Sequence, residues 1–414
     1  MSRSATETGG RAATDAVVPG KFALSVGKPN LPEPAGFRWT PLGELARLES
    51  GHTPSRARSD YWDGEIPWIG IRDATENHGL RISDTKQHIT DLGLVNSSAR
   101  LLPAEAVCLS RTASVGYVVI MGRSMATSQD FVNWVCGDGL SPSYLRYLLM
   151  AEQDSVKRFA FGSVHQTMYY PDAKALYVCV PSRAEQQAAA QVLEGLDDKI
   201  AANATLGRTA GELVEAHLSQ ALARGVRPST VDEVATFHNR RRLPLSAPER
   251  AGRPGEVPYY GATGRFGTVD SALFDQPLVL VGEDGTVVKN DGKPVVQYIW
   301  GPSWVNNHAH VLTGKIVSTE LLTFLLRRTG VRHLVTGAVQ PKLSMGKLRS
   351  LTIQIPQEED LSQLEVVTDA ACGIIRSATE ESRTLAALRD ALLPALMSGK
   401  IVVKDAERQV EAVV

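Results

Sequence analysis

The second half of this 414-residue sequence repeats the plan of its first half. The run Gly64-Glu65-Ile66-Pro67-Trp68-Ile69-Gly70 matches Gly255-Glu256-Val257-Pro258-Tyr259-Tyr260-Gly261, and Leu176 to Pro181 aligns with Leu351 to Pro356. Gly162-Ser163-Val164 likewise aligns with Gly337-Ala338-Val339. Each copy has short β-rich runs between Gly, Pro and Asp turns, followed by a long helical stretch. The duplication therefore predicts two related units and not one large core.

Changes in composition and periodicity set the expected boundaries. Residues 1–35 are rich in Ser, Thr, Gly, Ala and Pro, a composition that predicts a flexible leader that packs little. The fold class is α+β, with two mixed α/β globules separated by two long helices that pair antiparallel. The expected order is the leader 1–35, a first globule 36–182, a central helix 183–227, a second globule 228–356, a C-terminal helix 357–402 and a tail 403–414.

Both helical stretches carry apolar residues at alternating spacings of three and four, which indicates a coiled-coil seam. The predicted seam residues are Val192, Leu196, Leu206 and Leu213 in the central helix, and Ile374, Leu385, Leu388 and Leu392 in the C-terminal helix. A helix of about 40 residues is roughly 60 Å long. Antiparallel pairing would make the helices a rigid spacer between the globules. The alternative is that each helix covers its own globule.

Charge is distributed unevenly although the net charge of the chain is only -1. Residues 229–355 have 15 Lys and Arg against 10 Asp and Glu, whereas residues 36–182 have 14 against 15. The helical regions 183–222 and 357–414 carry -3 and -5. A basic second globule favours a nucleic-acid partner, while the neutral first globule would have to rely on local clusters. A coiled-coil scaffold whose globules bind protein is therefore an open alternative.

Three motifs of the first copy, two of the second and the C-terminal string occur in a fixed order. They are Trp39-Thr40-Pro41-Leu42-Gly43-Glu44-Leu45, Gly51-His52-Thr53-Pro54-Ser55, Tyr61 to Ile69, Tyr259 to Gly264, Gly282-Glu283-Asp284-Gly285, and Leu392 to Ile401. In this order and duplicated frame, the sequence resembles the specificity subunits of type I restriction–modification systems. A specificity subunit of another phage-defence complex is a near alternative.

This resemblance implies that each globule is a target-recognition domain that reads one half of a split double-stranded DNA target. It implies that the helix pair sets the unread gap and binds two methyltransferase subunits, with restriction subunits as further partners. S-adenosylmethionine, ATP and Mg²⁺ would then belong to those partners and not to this chain. No apolar run approaches the roughly 20 residues of a membrane span and no signal peptide is evident, so we expect a cytoplasmic protein.

Candidate DNA contacts lie in loops, where side chains can present donors and acceptors to base edges. We favour Arg111 as a base contact, with a structural salt bridge as the alternative. Arg56 and Arg58 are expected to meet phosphate, since nothing nearby in the sequence would fix their geometry. The candidates of the first copy are Arg56, Arg58, Arg111, Thr112, Gln129 and Gln166.

The second copy offers a Gly-punctuated loop, an acidic pair and a polar cluster. Glu283 and Asp284 could accept hydrogen bonds from cytosine amino groups. Arg240-Arg241-Arg242 is a phosphate candidate, with a solvated surface as the alternative. The candidates of the second copy are Tyr260, Thr263, Arg265, Glu283, Asp284, Asn306, Asn307, His308 and Lys342.

No catalytic constellation is evident. Methyl transfer to a base would need a cofactor-binding Gly loop and an Asn/Asp-Pro-Pro-aromatic motif, and neither occurs. The four cysteines lack metal-ligand spacing. We therefore expect a non-catalytic chain without a metal site.

Overall fold

The computed structural model describes residues 17–161, 166–337 and 339–413. The chain divides into two compact units, the first comprising Met1–Ile200 with Arg383–Val414 and the second comprising Ala201–Ser382. Each unit therefore contains one globule and part of each long helix. The aligned residues Gly162, Ser163, Val164 and Ala338 lie outside the described residues.

The first globule is organised around a five-stranded sheet. Its strands run in the order Ala46–Ser50, Phe131–Cys136, Val107–Ser110, Val118–Met121 and Arg81–Ile82; the last pair is parallel and the others antiparallel. Two smaller sheets contain Ala126–Thr127, Trp62–Ile69 and His88–Ile89, and Val18–Pro19, Leu24–Val26, Leu176–Val180 and Arg38–Pro41. The shorter helices of this unit are Leu42–Leu45, Ser59–Tyr61, Ile71–Glu76, Asp91–Val95, Pro142–Ala151, Gln153–Phe159, Tyr170–Lys174 and Val403–Glu411.

The second globule repeats this plan with fewer strands. One antiparallel sheet contains Ala235–Phe237, Ala309–Gly314, Leu278–Gly282 and Val296–Ile299, and another sheet contains Arg265–Val269, Val257–Tyr260, Pro302–Val305 and Phe274–Asp275. A third sheet pairs Val226–Thr230 with Thr352–Pro356. The shorter helices are Val231–Val234, Asn239–Arg241, Ala247–Ala251, Thr319–Arg328, Arg332–Leu334 and Met345–Arg349.

One amphipathic helix occupies the same place in both copies and begins for the same reason. In the first copy Pro142–Ala151 starts at Ser141, whose side chain accepts a hydrogen bond from the Tyr144 amide. In the second copy Thr319–Arg328 starts at Ser318, which caps the Leu321 amide in the same way. A serine cap satisfies an amide that the first helical turn leaves unpaired. The helices then bury their apolar residues in their own globule's core.

The two long helices are Arg183–Arg224 and Glu358–Met397, and they pair antiparallel. In the second unit Arg224 forms an ion pair with Asp360, and the Asn203 amide donates to Glu381 at 2.7 Å. In the first unit Arg389 donates to Asp197 at 2.8 Å. The residue numbers of the partners thus rise along the central helix as they fall along the C-terminal helix, which is the antiparallel arrangement. Each core contains residues of both helices, so neither helix covers one globule alone. The predicted α+β class is confirmed.

The seam between the helices follows the prediction in the first unit only. Leu196, Leu385 and Leu392 are buried, with Val192 and Leu388 half-buried beside them. In the second unit, Leu206, Leu213 and Ile374 are exposed, and the buried line contains Asn203, Ala210, Val214, Leu218 and Ala221. The predicted seam is wrong at Leu206 and Leu213, since the buried line continues from Ala210 to Val214, one position beyond Leu213. Asn203 occupies a seam position as a polar interruption, and there it hydrogen bonds to Glu381.

The predicted leader is wrong for residues 17–26. Leu24–Val26 pairs with Leu176–Val180, and Ala23, Leu24 and Val26 are buried in the core. The cause is Glu152, whose fully buried carboxylate accepts hydrogen bonds from four successive backbone amides at residues 21–24. Residues 1–16 lie outside the described part. The predicted tail is also structured, since Val403–Glu411 is a helix with Ala406 buried.

Candidate nucleic-acid interface

Arg56 is held on two tryptophan rings at the surface of the first globule. Its guanidinium lies 3.7 Å from the centroid of Trp62 and 5.1 Å from that of Trp68, and it donates to Gln87 at 2.9 Å. The two rings meet edge to face at 5.2 Å. The expectation that nothing would fix this side chain is therefore wrong. A stacked guanidinium presents its donors in one plane, the arrangement that suits guanine or phosphate.

Arg58 is an exposed neighbour with a different role. It donates two hydrogen bonds to Asp60, at 2.9 and 2.6 Å, and lies 4.7 Å from the ring of Tyr61. The hydrogen bonds with Asp60 raise the pKa of Arg58, so its charge is not in question. A DNA phosphate would have to compete with that carboxylate.

The Arg111 side chain stabilises its loop by hydrogen bonds within the globule. Its side chain donates to the carbonyl oxygens of Gln129 at 3.1 Å and Met168 at 3.4 Å. Burial lowers the pKa of Arg111, with Asp130 acting in the opposite direction. The favoured base contact is thus engaged in the fold, although its acceptors are backbone oxygens and not the carboxylate of the alternative.

The other candidates of the first copy belong to the same loops. Thr112 donates to Asp130, and Gln129 accepts a hydrogen bond from Thr53. Gln166 is exposed, next to residues that lie outside the described part. Thr112 and Gln129 therefore connect loops, while Arg56 is the candidate whose donors are both positioned and exposed.

The Gly-punctuated loop of the second copy forms a tight turn. The Gly261 amide donates to the Gly264 carbonyl at 2.9 Å, and the exposed Arg265 donates to Gly267 at 3.2 Å. Thr263 and Phe266 are exposed on this turn, with Phe266 57% exposed. Tyr260 differs from them, since it is half-buried against an apolar cluster and its carbonyl accepts from the Asn306 amide.

Glu283 is half-buried in an ionic cluster within the second globule. Arg242 donates to it at 2.6 Å and also to the Ala309 carbonyl at 2.7 Å. His310 Nδ1 lies 3.5 Å from the same carboxylate. Glu283 and Arg242 thus hydrogen bond to each other, and their predicted base and phosphate contacts stay predictions. Both residues line an open cleft together with Arg240, Arg241 and Arg349.

The remaining candidates come together around one recess of about 210 Å³. Lys342 lies 3.1 Å from the Asp284 carboxylate, and His308 Nδ1 lies 3.8 Å from it. The Asn306 side chain accepts from the His308 amide at 2.9 Å, which fixes the turn that carries both residues. Asn307 is exposed, and its carbonyl accepts from Arg242 at 3.2 Å. The recess is lined by Ala262, Thr263, Phe266, Asp284, Thr286, Asn306 and His308.

Two aromatic features of these surfaces were missed in the sequence. Trp62 and Trp68 lie on the strand Trp62–Ile69, whose register with His88–Ile89 shifts between Trp62 and Ile66. Because of this irregularity, alternation along the strand does not predict that the two rings meet. The sequence did not predict the exposure of Phe266 either, because that exposure follows from the turn and not from a periodic pattern.

The burial of His310 predicts that the free energy of unfolding depends on pH. His310 is buried, its Nε2 hydrogen bonds to the Leu343 carbonyl at 2.7 Å, and its Nδ1 hydrogen bonds to the Asn239 amide at 2.9 Å. These partners define a neutral ring, and burial lowers the pKa of His310. The unfolded chain therefore binds a proton first as the pH falls below about 6.5, so the free energy of unfolding should decrease there.

We expect urea unfolding of the second unit to require less urea at pH 5.5 than at pH 7.5, and His310→Gln to flatten that difference. His308→Gln is the matched control, because His308 is half exposed. An identical loss of stability in the wild type and in His310→Gln would contradict this assignment.

Among the residues that the structure describes, no helix is long and apolar enough to cross a bilayer. The same residues contain no cluster of three or more His, Cys, Asp or Glu side chains that could hold a metal ion.

Comparison with known proteins agrees with the duplicated frame. The family model for the type I restriction modification DNA specificity domain matches residues 34–208 and again 224–381. The MjaIX type I restriction enzyme specificity subunit of Methanocaldococcus jannaschii is 24% identical over 406 residues, covering 88% of this chain and 93% of that protein. The EcoprrI specificity subunit of Escherichia coli is 23% identical over 369 residues, covering 83% and 90%.

Among solved structures, the S subunit of a type I restriction-modification system from M. genitalium has a similar fold. Its TM-score is 0.59 at 16% identity, covering 87% of this chain and 96% of that chain. The fold, the two family matches and the relatives of nearly full length agree with one another. The chain therefore belongs to the specificity subunits of type I restriction–modification systems.

Proposed function

We propose that the two globules read the two halves of an asymmetric, bipartite DNA target, and that the chain does so in the cytoplasm. The observation that carries this proposal is that equivalent positions of the two globules carry different polar side chains. One bridge joins Thr112 and Thr167 in the first globule, and the equivalent bridge joins Asp284 and Lys342 in the second. Unlike side chains at related places imply unlike half-sites. The first globule in addition offers Arg56 stacked on Trp62 and Trp68.

The helix pair is proposed to dock two methyltransferase subunits. Leu206 and Leu213 are about half exposed, seven positions apart on one face of the central helix, and Ile374 is exposed on the C-terminal helix. Exposed apolar side chains at helical spacing suit a partner helix. The helical regions 183–222 and 357–414 carry -3 and -5, so we expect the partner's face to be basic at its rim. A duplicated scaffold suits two identical partners.

The chain is proposed to supply specificity and no chemistry. S-adenosylmethionine would be held by the methyltransferase subunits, and ATP and Mg²⁺ by restriction subunits of the same complex. The candidate side chains of both globules carry hydrogen-bond donors and acceptors, which suits recognition of base edges.

The test is selection from a random duplex library by the purified chain with its methyltransferase partner. We expect enrichment of two short, different motifs separated by a fixed unread gap. Enrichment of no motif would overturn the proposal and favour a protein-binding scaffold. Methyl transfer by this chain alone would overturn its non-catalytic role.

Arg56 gives a prediction for the first half-site. Arg56→Ala should weaken binding of the selected duplex by roughly tenfold, on the order of 1.4 kcal/mol. Arg56→Lys should restore little of it, because an ammonium group cannot stack as a plane on Trp62 and Trp68. Fluorescence anisotropy at one fixed salt concentration measures both variants. Arg58→Ala is the matched control, with a smaller effect expected, and full rescue by lysine would contradict the stacked role.

A further inference from the structure

Asp284 and Lys342 lie on two segments that the backbone ties together. The two residues form a β-bridge, the Gly285 amide donates to the Pro341 carbonyl at 3.0 Å, and the Leu343 amide donates to the Glu283 carbonyl at 2.9 Å. Gly285 has a φ of 86°, a left-handed conformation that glycine adopts without strain and that turns the chain directly after Asp284. Both side chains are therefore carried on a fixed frame.

The adjoining charges are already balanced without Asp284. Glu283 is paired with the half-buried Arg242, so Lys342, which lies 3.9 Å from Glu283 and 3.1 Å from Asp284, is mainly the partner of Asp284. The Asp284 side chain is 18% exposed and that of Lys342 49% exposed, so the pair reaches the surface. Its donors and acceptors remain available to a ligand.

The edge of one base pair matches this ion pair in chemistry and in spacing. In the major groove a C·G pair presents the cytosine N4 amino group as a donor and guanine O6 and N7 as acceptors. The N4 and O6 atoms are joined by an N–H···O hydrogen bond, so they lie about 2.9 Å apart. The carboxylate oxygen and the ammonium nitrogen are 3.1 Å apart. The Asp284 oxygen, an acceptor, can therefore face the cytosine N4 donor while the Lys342 nitrogen, a donor, faces the guanine O6 acceptor.

The other three base-pair orientations match less well. In an A·T pair the adenine amino group and thymine O4 have the same order as in C·G, but the thymine methyl group projects next to that oxygen. Burying a methyl group against the Lys342 ammonium would desolvate the charge without a new hydrogen bond. In a G·C or T·A pair the donor and acceptor are exchanged, so the carboxylate would face an acceptor and the ammonium a donor. Thr263 and the exposed Phe266 line the recess beside Asp284.

We propose that Asp284 and Lys342 act together to read one C·G base pair in the half-site of the second globule. Asp284 accepts a hydrogen bond from cytosine N4, and Lys342 donates one to guanine O6. The surrounding net charge of +5 over residues 229–355 offsets the cost of bringing a carboxylate near phosphates. This proposal rests on the DNA-reading function proposed above and assigns one position of the target to two residues.

The experiment compares motifs selected from a random duplex library by the whole chain with its methyltransferase partner. Asp284→Asn and Lys342→Met should each reduce the preference for C·G at one and the same position of one half-site, by roughly tenfold to a hundredfold. The double variant should lose no more at that position than the stronger single variant. The other half-site and the gap should be unchanged.

The control is a second ion pair of the same globule. Lys293 lies 3.6 Å from Asp291, and both side chains are about half exposed. Asp291→Asn and Lys293→Met should leave every position of the motif unchanged. A wild-type motif with no C·G position sensitive to either variant, or losses at two different positions, would overturn the pairwise reading. Failure of the wild type to select any gapped motif would instead overturn the DNA-reading function itself.

Discussion

Deleting one heptad from each long helix should shorten the unread gap of the DNA target by about three base pairs and leave both half-sites unchanged. The proposed deletions are residues 200–206 and 378–384, centred on the hydrogen bond between Asn203 and Glu381. Seven residues contribute about 10 Å of helix, and B-DNA rises about 3.4 Å per base pair. Seven residues also make nearly two full turns, so the faces beyond the deletion rotate by only about 20°.

Library selection with the deleted chain and its methyltransferase partner measures this result. Thr205→Ala, which changes an exposed side chain in the same segment and keeps the length, is the control and should preserve the gap. A deleted chain that still folds and selects the original gap would contradict the spacer role. Loss of one half-site with the gap retained would also contradict it.

Glu152→Ala should release the N-terminal segment from the first globule. The Glu152 carboxylate accepts from the amides of Lys21 at 2.9 Å, Phe22 at 2.6 Å, Ala23 at 2.6 Å and Leu24 at 3.2 Å. Each buried amide that loses its acceptor costs about 1–3 kcal/mol, so the expected loss in stability is at least roughly 3 kcal/mol. Cleavage by a protease at Lys21 should therefore become much faster, because the segment opens more often.

Asp154→Ala is the matched control, since that carboxylate is 85% exposed two positions away. It should leave the cleavage rate near that of the wild type. Glu152→Gln should lie between the two, because it keeps one oxygen acceptor and loses the charge. Equal protection of Lys21 in the wild type and in Glu152→Ala would show that the buried strand, and not the carboxylate, holds the segment.

Features that repeat or follow a period could be predicted from the sequence. The duplication placed two globules and two long helices correctly because apolar periodicity and turn residues are local properties of the chain. The segment near Leu24 could not be predicted in this way, since its order depends on Glu152, more than 120 positions away. The seam near Leu213 was missed because Val214 and Leu218 pack into the core of the second unit, and a spacing of three and four does not show where that core lies.

The candidate DNA contacts show the same difference between local properties and contacts with distant segments. Residue type identified Arg56, Asp284 and Lys342 as groups that can recognise DNA, and all three carry solvent-exposed donors or acceptors. Residue type could not separate them from Arg111 and Glu283, which the fold uses for its own hydrogen bonds. Whether a charged group is engaged inside the molecule depends on contacts between distant segments, which spacing in the sequence does not specify.

Sequencing the methylated bases of host DNA, with and without this gene, tests whether this chain supplies the specificity. One asymmetric motif, formed by two different half-sites and a fixed gap, should be methylated only when the gene is present. Arg56→Ala should then relax or weaken one half-site, and Asp284→Asn the other. An identical pattern of methylation in both strains, with the methyltransferase expressed and active, would contradict the claim that this chain supplies the specificity.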